Sequence, residues 1–376
     1  MLRIGLVLAS PRQAPLASTR VALLQVLPLL AQQGLGFELL HEPEQAQEQP
    51  LLDGLAERAV ARGLRAVVFQ KVHGASAVAQ ALQLRAHGIA TLFMVCDHVL
   101  PQMVQACDRT VVVCAFLRSL YPPALQARMD VVHDGIERPE CRAHALDDAL
   151  DHAPAHAQRR GRGSWLQPLR AVLVSGAPPT DFGALGLPPA WARWDCVSAY
   201  PARRLQRWRA HWQTQRNLPA LERLAHRRLL GHPHVRFVPW SEEGVYAHLA
   251  GADLGLIPTP LHSEPEADGL APMWQRKSEN RLTLMMAMGL PVVAGPVPAY
   301  LELIEPGRNA YLARTPQEWR AALQALREPA HRQEVGARAR ATVLERYSKE
   351  RQAALLLAAM REALQARSAA SLKASG

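Results

Sequence analysis

Between Lys277 and Ala294 the chain passes from a polar, cationic opening (Lys277, Ser278, Asn280, Arg281) through the apolar run Leu282–Met288 to Gly289. From there it goes straight into Pro291-Val292-Val293-Ala294. The run predicts a helix over Ser278–Met288 that ends at a glycine, because glycine adopts the left-handed conformation that closes helices without steric cost. The β-branched residues that follow predict a short strand with both faces buried, the kind found in parallel sheets. A helix feeding directly into a buried strand belongs to an alternating α/β architecture.

The rest of the chain repeats that alternation. Ile4–Ala9, Phe37–His41, Ala66–Gln70, Thr91–Val95, Thr110–Cys114 and Asp130–His133 read as strands. Helical patterns lie between them: Arg20–Gln33 ends at Gly34 and Ala75–His87 ends at Gly88. Residues 138–168 have no strand character and read as a linker or excursion. A second series then begins, with strands at Arg170–Ser175, Trp194–Val197, Val235–Val238, Leu254–Pro258 and Pro291–Ala294. Val245–Ala250, Pro316–Arg327, Ala330–Tyr347 and Glu350–Ala366 read as helices, and Ser368–Gly376 as a frayed tail. At 376 residues the chain can hold two cores. The predicted fold class is α/β, with two Rossmann-like doubly wound domains facing a central cleft where ligands bind. Predicted boundaries are 1–140 for the first domain, 141–168 for the linker, 169–349 for the second domain and 350–376 for a terminal helix and tail that packs back on the first domain.

The formal charge is +10, and from His152 to Arg228 there are 13 arginines against three acids, an excess equal to the whole net charge. Such a stretch reads either as a solvated basic surface or as a contact for an anionic membrane or acceptor; nucleic acid is the less favoured partner. The five cysteines form no C-x-x-C pair, which reads as free thiols and argues against zinc. No apolar run approaches membrane-spanning length. Met1–Ser10 reads as a first strand rather than a signal peptide, so the expected location is cytoplasmic, with peripheral contact at the inner membrane face.

Several segments, taken together and in order, resemble the GT-B glycosyltransferases. Val235–Trp240 is similar to that family's strand and turn beside the nucleotide base, and Ala252-Asp253-Leu254-Gly255-Leu256-Ile257-Pro258-Thr259 to the strand that follows. Gly289–Ala294, Glu302–Ala310 and Gly336–Ser348 resemble its donor-domain run. Val132-His133-Asp134-Gly135-Ile136 is similar to the turn that ends its first domain. The resemblance implies metal-independent, retaining transfer of a sugar from a nucleotide-diphosphate donor, the co-substrate, to a hydroxyl of a glycan, a lipid-linked sugar or a protein, as in cell-surface polysaccharide biosynthesis. It departs from the large retaining branch in lacking the paired glutamates of the donor helix, whose positions fall on Arg276 and Leu284. It also lacks a cation in Ser175–Asp181. The alternatives are a nucleotide-sugar epimerase of the same fold and a catalytically degenerate binding module.

On this reading Lys277, Ser278, Asn280 and Arg281 bind the donor diphosphate at a helix start, where unpaired N–H groups and the dipole favour anions. The plain alternative is a capped helix with solvated charges. Ser18 and Arg20 after the first strand join them by resemblance. Trp240, Pro258, Glu279, Glu302 and Gly176 are candidates for the nucleotide or sugar, with core or capping roles as alternatives. Asp97, His98 and His73 are candidate catalytic groups on the acceptor side, with Lys71 beside them. For Asp97 and His98 a helix cap and a surface histidine stand as equal alternatives.

Overall fold

The computed structural model describes residues 2–144, 163–164, 166–175, 185–201, 203–216, 220–260 and 269–375. The chain divides into two compact units. The first comprises Met1–Glu137, Gln275–Glu279 and Tyr347–Gly376, and the second Arg138–Trp274 and Asn280–Arg346.

In the first unit, β1 (Leu2–Leu8), β2 (Leu35–His41), β3 (Ala66–Gln70), β4 (Ala90–Val95), β5 (Arg109–Val112) and β6 (Met129–Val131) form a parallel sheet in the order β2-β1-β3-β4-β5-β6. Register is set by pairs such as Ile4 with Ala66 and Val68 with Leu92. β3 and β4 are buried along their whole length, as their unbroken apolar runs require. The helix Lys349–Ser375 packs Leu356, Met360 and Ala363 onto Ile4, Leu6, Val68 and Leu92. It runs through the segment read as a frayed tail. Gln352 fastens its first turn: its amide donates to the carbonyls of Val21 and Ala22, and its oxygen accepts from Gly135 N at 3.0 Å. Position 135 must be glycine, because an added Cβ would lie 2.9 Å from the Lys349 Cα.

The helix expected over Arg20–Gln33 is broken into Ala17–Ala22, a tight turn at Leu24–Val26, and Leu27–Gln32. Pro28 explains the break: it has no N–H, and its ring collides with the carbonyl four residues earlier, so a helix restarts there rather than continuing.

The second unit's sheet is also parallel, in the order β12-β11-β10-β7-β8-β9. Its strands are β7 (Leu169–Val174), β8 (Ala192–Ser198), β9 (Val235–Pro239), β10 (Leu254–Ile257), β11 (Val292–Ala294) and β12 (Tyr311–Leu312). Trp194, Leu254, Leu256, Val293 and Trp319 build its core. The helix that opens the donor-like segment starts at Asn280 and ends at Ala287. Gly255 in β10 admits its Met285, whose sulfur would sit 2.6 Å from a Cβ at that position. The helix's closing carbonyls are taken up: Ala287 O accepts from the buried Arg340 guanidinium and Met288 O from Ala143 N. Gly289 follows with φ +76°, the left-handed closure expected of it. The last part of the arginine-rich stretch forms two helices not expected from the sequence, Arg204–Gln215 and Ala220–Leu230.

Candidate active site

In open parallel sheets, ligands gather at the carboxyl ends of the strands where the strand order reverses. In the first unit that point lies between β1 and β3. Here Ser10 Oγ donates to Thr19 Oγ1 at 2.8 Å, and Thr19 Oγ1 donates to Gln70 Oε1 at 2.8 Å. Gln70 Nε2 then donates to the Ser18 carbonyl. This buried chain ties the loops after the two strands together.

Next to it, Lys71 has φ +57°, and it alone among the described non-glycine residues has positive φ. A side chain held in that region costs energy that the surroundings must offset, and such positions gather at functional sites. The offset is visible: the buried ammonium lies 2.8 Å from Glu48 Oε1 and 3.1 Å from Asp97 Oδ1. Asp97 also takes a hydrogen bond of 2.6 Å from Lys277 Nζ. His73 Nε2 and His98 Nε2 stand 3.5 and 3.4 Å from Glu48 Oε2, with their rings 5.9 Å apart. The loops after β2, β3 and β4 and the segment before the helix Asn280–Ala287 thus supply one polar cluster, Glu48–Lys71–Asp97–Lys277, flanked by two imidazoles.

Electrostatics keep Glu48, Lys71 and Asp97 ionised. Burial alone would lower the Lys71 ammonium, but the Asp97 carboxylate and the Glu48 hydrogen bond outweigh it and hold Lys71 above its ordinary value. Burial alone would raise Asp97; Lys277 and Lys71 reverse this and hold it below the usual carboxylate range. Hydrogen bonds from His73 and His98, aided by Lys71, depress Glu48 strongly.

A second cluster lies after β6. His133 Nδ1 is 2.7 Å from Glu279 Oε1, and Glu279 is only 1% exposed. Asp134 is buried too, and burial, with Glu279 adding repulsion, lifts its carboxyl to about 7.

The sequence-predicted residues fall into distinct places. Asp97, His98 and His73 come together, and Asp97 caps no helix: the following helix, Pro101–Ala106, has Leu100 as its N-cap. Lys277 joins them through Asp97. Arg20 forms an ion pair with Glu137, its Nη2 donating at 3.2 Å, and half-buried Ser18 lies in the first turn of the helix Ala17–Ala22. Glu279 is buried, with Oε1 2.7 Å from His133 Nδ1 and Oε2 without a hydrogen-bond partner. Ser278 is half-buried in the first unit; Asn280 and Arg281, also half-buried, open their helix in the second.

Trp240 is 41% exposed after β9, its backbone N–H donating to the Ser198 carbonyl. Pro258 is half-buried after β10. Glu302 is exposed at the C-cap of the helix Pro298–Leu301. Gly176 lies outside the described residues. Arg276, at one of the missing glutamate positions, is buried.

Sequence reasoning missed Glu48. It sits in the Glu- and Gln-rich loop after β2, where no periodicity marks any one carboxylate. Only the backbone bonds Gln47 N to Ala9 O and His73 N to Glu48 O select it. Among the described residues no group of three or more His, Cys, Asp or Glu is arranged to hold a metal ion, and no helix is long and apolar enough to cross a membrane.

Comparisons with known proteins bear on both units. Residues 207–358 match a family model described as glycosyl transferase-like. No curated protein matches the sequence. Among solved structures, the fold is shared with Anabaena Alr3699/HepE in complex with UDP and glucose, at 14% identity and TM-score 0.60, covering 96% of this chain and 99% of that one. It is shared with a glycosyltransferase from Rickettsia africae ESF-5, at 13% identity and TM-score 0.62, covering 96% and 98%. It is also shared with sucrose-phosphate synthase from Thermosynechococcus elongatus, at 14% identity and TM-score 0.62, covering 97% and 100%. At such identities the likeness concerns the fold.

Proposed function

We propose that this chain, which shares the GT-B fold and matches a glycosyl transferase-like family model over residues 207–358, is a glycosyltransferase that moves a sugar from a nucleotide-diphosphate donor to a hydroxyl acceptor. One observation carries the reading. Lys277, just before the helix Asn280–Ala287, bonds to Asp97 in a polar cluster that also holds Lys71, Glu48, His73 and His98. A cation able to meet an anion thereby shares one cluster with groups able to handle a hydroxyl proton.

In this reading the diphosphate lies against the helix start, where the amide groups of the first turn, Asn280 and Ser278 donate to it. Lys277 and Arg281 stabilise the negative charge that grows on the departing nucleoside diphosphate, without a metal ion. Lys277 already has a carboxylate partner in Asp97, so a diphosphate competes for an ammonium that is oriented in advance. Asp97 and the His98 and His73 imidazoles serve the acceptor hydroxyl. Trp240 and Pro258 lie at strand ends suited to the donor base. UDP-sugars head the donor screen, since the Anabaena protein was crystallised with UDP and with UDP-glucose. We assign a retaining outcome and a glycan, lipid-linked sugar or protein acceptor of surface-polysaccharide type.

The test is thermal shift with a panel of nucleotide sugars, followed by release of nucleoside diphosphate from whichever donor binds. A bound donor raises the unfolding midpoint by mass action. Lys277→Ala is expected to weaken that donor about tenfold or more, as loss of a charge-assisted contact does. An unchanged affinity would remove the diphosphate assignment. A donor that binds without slow release would favour the degenerate binding module, a reading that gains some support from Lys277 and Arg20 each already facing a carboxylate.

A further inference from the structure

The arginine-rich part of the second unit has no role in the reading above. From Arg203 to Leu230 the sequence holds eight arginines and one acid, Glu222. The helix Arg204–Gln215 carries Leu205, Trp208 and Trp212 at 79%, 48% and 56% exposure. Their spacing of three and then four residues places all three on one side of the helix. Arg209 and Arg216 flank that side and are exposed, as are Arg223, Arg227 and Arg228 of the following helix Ala220–Leu230. The Arg227 guanidinium lies 5.8 Å from the centre of the Trp212 ring. The second helix turns His226 and Leu229 inward, so the pair is anchored on the unit while its outer side stays in water.

Two exposed tryptophans are costly to leave in water and unusual on a solvated face. A merely basic surface would need the arginines and not the rings. Indole beside arginine on one helix side suits the boundary between lipid headgroups and acyl chains. There the ring sits at the carbonyl level, and the guanidinium extends outward to phosphate.

We propose that the exposed side of the helix Arg204–Gln215, with Leu205, Trp208, Trp212 and their flanking arginines, docks on an anionic phospholipid bilayer. Charge complementarity selects the occupant: a surface with this arginine excess is drawn to acidic headgroups, and the rings then enter the interface. The inference does not depend on the catalytic reading, because none of these residues takes part in it.

The experiment is flotation of the full chain with vesicles of phosphatidylcholine, with and without phosphatidylglycerol, together with tryptophan emission. Binding to the anionic vesicles alone, with a blue shift of the emission, is the expected result. Trp208→Ser with Trp212→Ser should abolish the shift and weaken partitioning about tenfold. Arg209→Gln with Arg216→Gln should weaken it by a similar factor while leaving the unfolding midpoint in place. Equal binding by wild type and the tryptophan variant, binding to a single-stranded RNA in place of vesicles, or no vesicle binding at low salt would each overturn the proposal.

Discussion

The two sheets carry their polar groups differently at their carboxyl ends. In the first unit the loops after β2, β3 and β4 bring charges that face one another, Glu48, Lys71 and Asp97, with Lys277 closing the chain. In the second, the described strand-end residues are small or uncharged: Ser175, Ser198, Pro258, Thr259 and Gly295. There the packing is governed by backbone approach, since a Cβ on Gly295 would lie 2.1 Å from Thr259 Oγ1. The lesson is that one unit supplies its own balanced charges, as groups that handle protons require. The other presents backbone and small side chains, which suits a ligand that brings its charge with it.

The contrast can be broken most sharply through pH. Asp134 in the first unit has a folded pKa of about 7 against an ordinary 3.8. A raised folded pKa means stability present below the unfolded value and lost as pH rises through the folded one. From pH 4 to 7 the wild type should therefore lose up to roughly 4 kcal/mol from this group. Asp134→Asn should flatten that slope in denaturation midpoints measured across the range; an unchanged slope would show the burial to be inconsequential. Asp97 and Glu48 work in the opposite sense. Their depressed values give stability above the ordinary carboxylate range, lost on further acidification.

Removing Asp97 leaves two cations facing each other, one of them buried. Asp97→Ala should cost about 3 kcal/mol in urea denaturation, whatever becomes of activity. A cost near zero would mean that the cluster is solvated and not organised. In the second unit the sensitive feature is backbone approach: a Cβ on Gly336 would meet the Gly289 carbonyl oxygen at 2.2 Å. Gly336→Ala should destabilise by about 2 kcal/mol through overpacking, read by the same denaturation series. The smallest stability effect belongs to Asn280→Ala, well under 1 kcal/mol at a half-buried helix start. Its expected signature is weaker donor binding in calorimetry, and a protein that loses stability but keeps the donor would reverse the distinction between the units.

Much of this architecture was legible in the chain. The expected bounds of β3 match to the residue because its short β-branched run stops at charged Lys71, and those of β10 and β11 nearly so because their apolar runs stop at Pro258 and Gly295. The helix expected near Arg20 is too long because its apolar periodicity runs on through the interruption at Pro28. The helices at the end of the arginine-rich stretch go unread because the dense arginines and glutamines mask the few apolar residues at helical spacing, Leu205, Trp208 and Trp212, which stay exposed. Asp97, His98 and His73 could be nominated from their place after strands. Glu48 could not, since nothing local sets it apart from Glu42 or Glu44.

The sequence by itself determined two doubly wound sheets, the glycine that closes the donor-like helix, and the loops that carry polar chemistry, since each follows from short-range periodicity and backbone preference. Only the tertiary structure decided which charges meet. Lys277 lies 180 positions from Asp97 in sequence yet bonds to it, and Glu279 turns inward to His133. Charge pairing depends on distance and burial, which the folded backbone sets and a linear pattern does not contain.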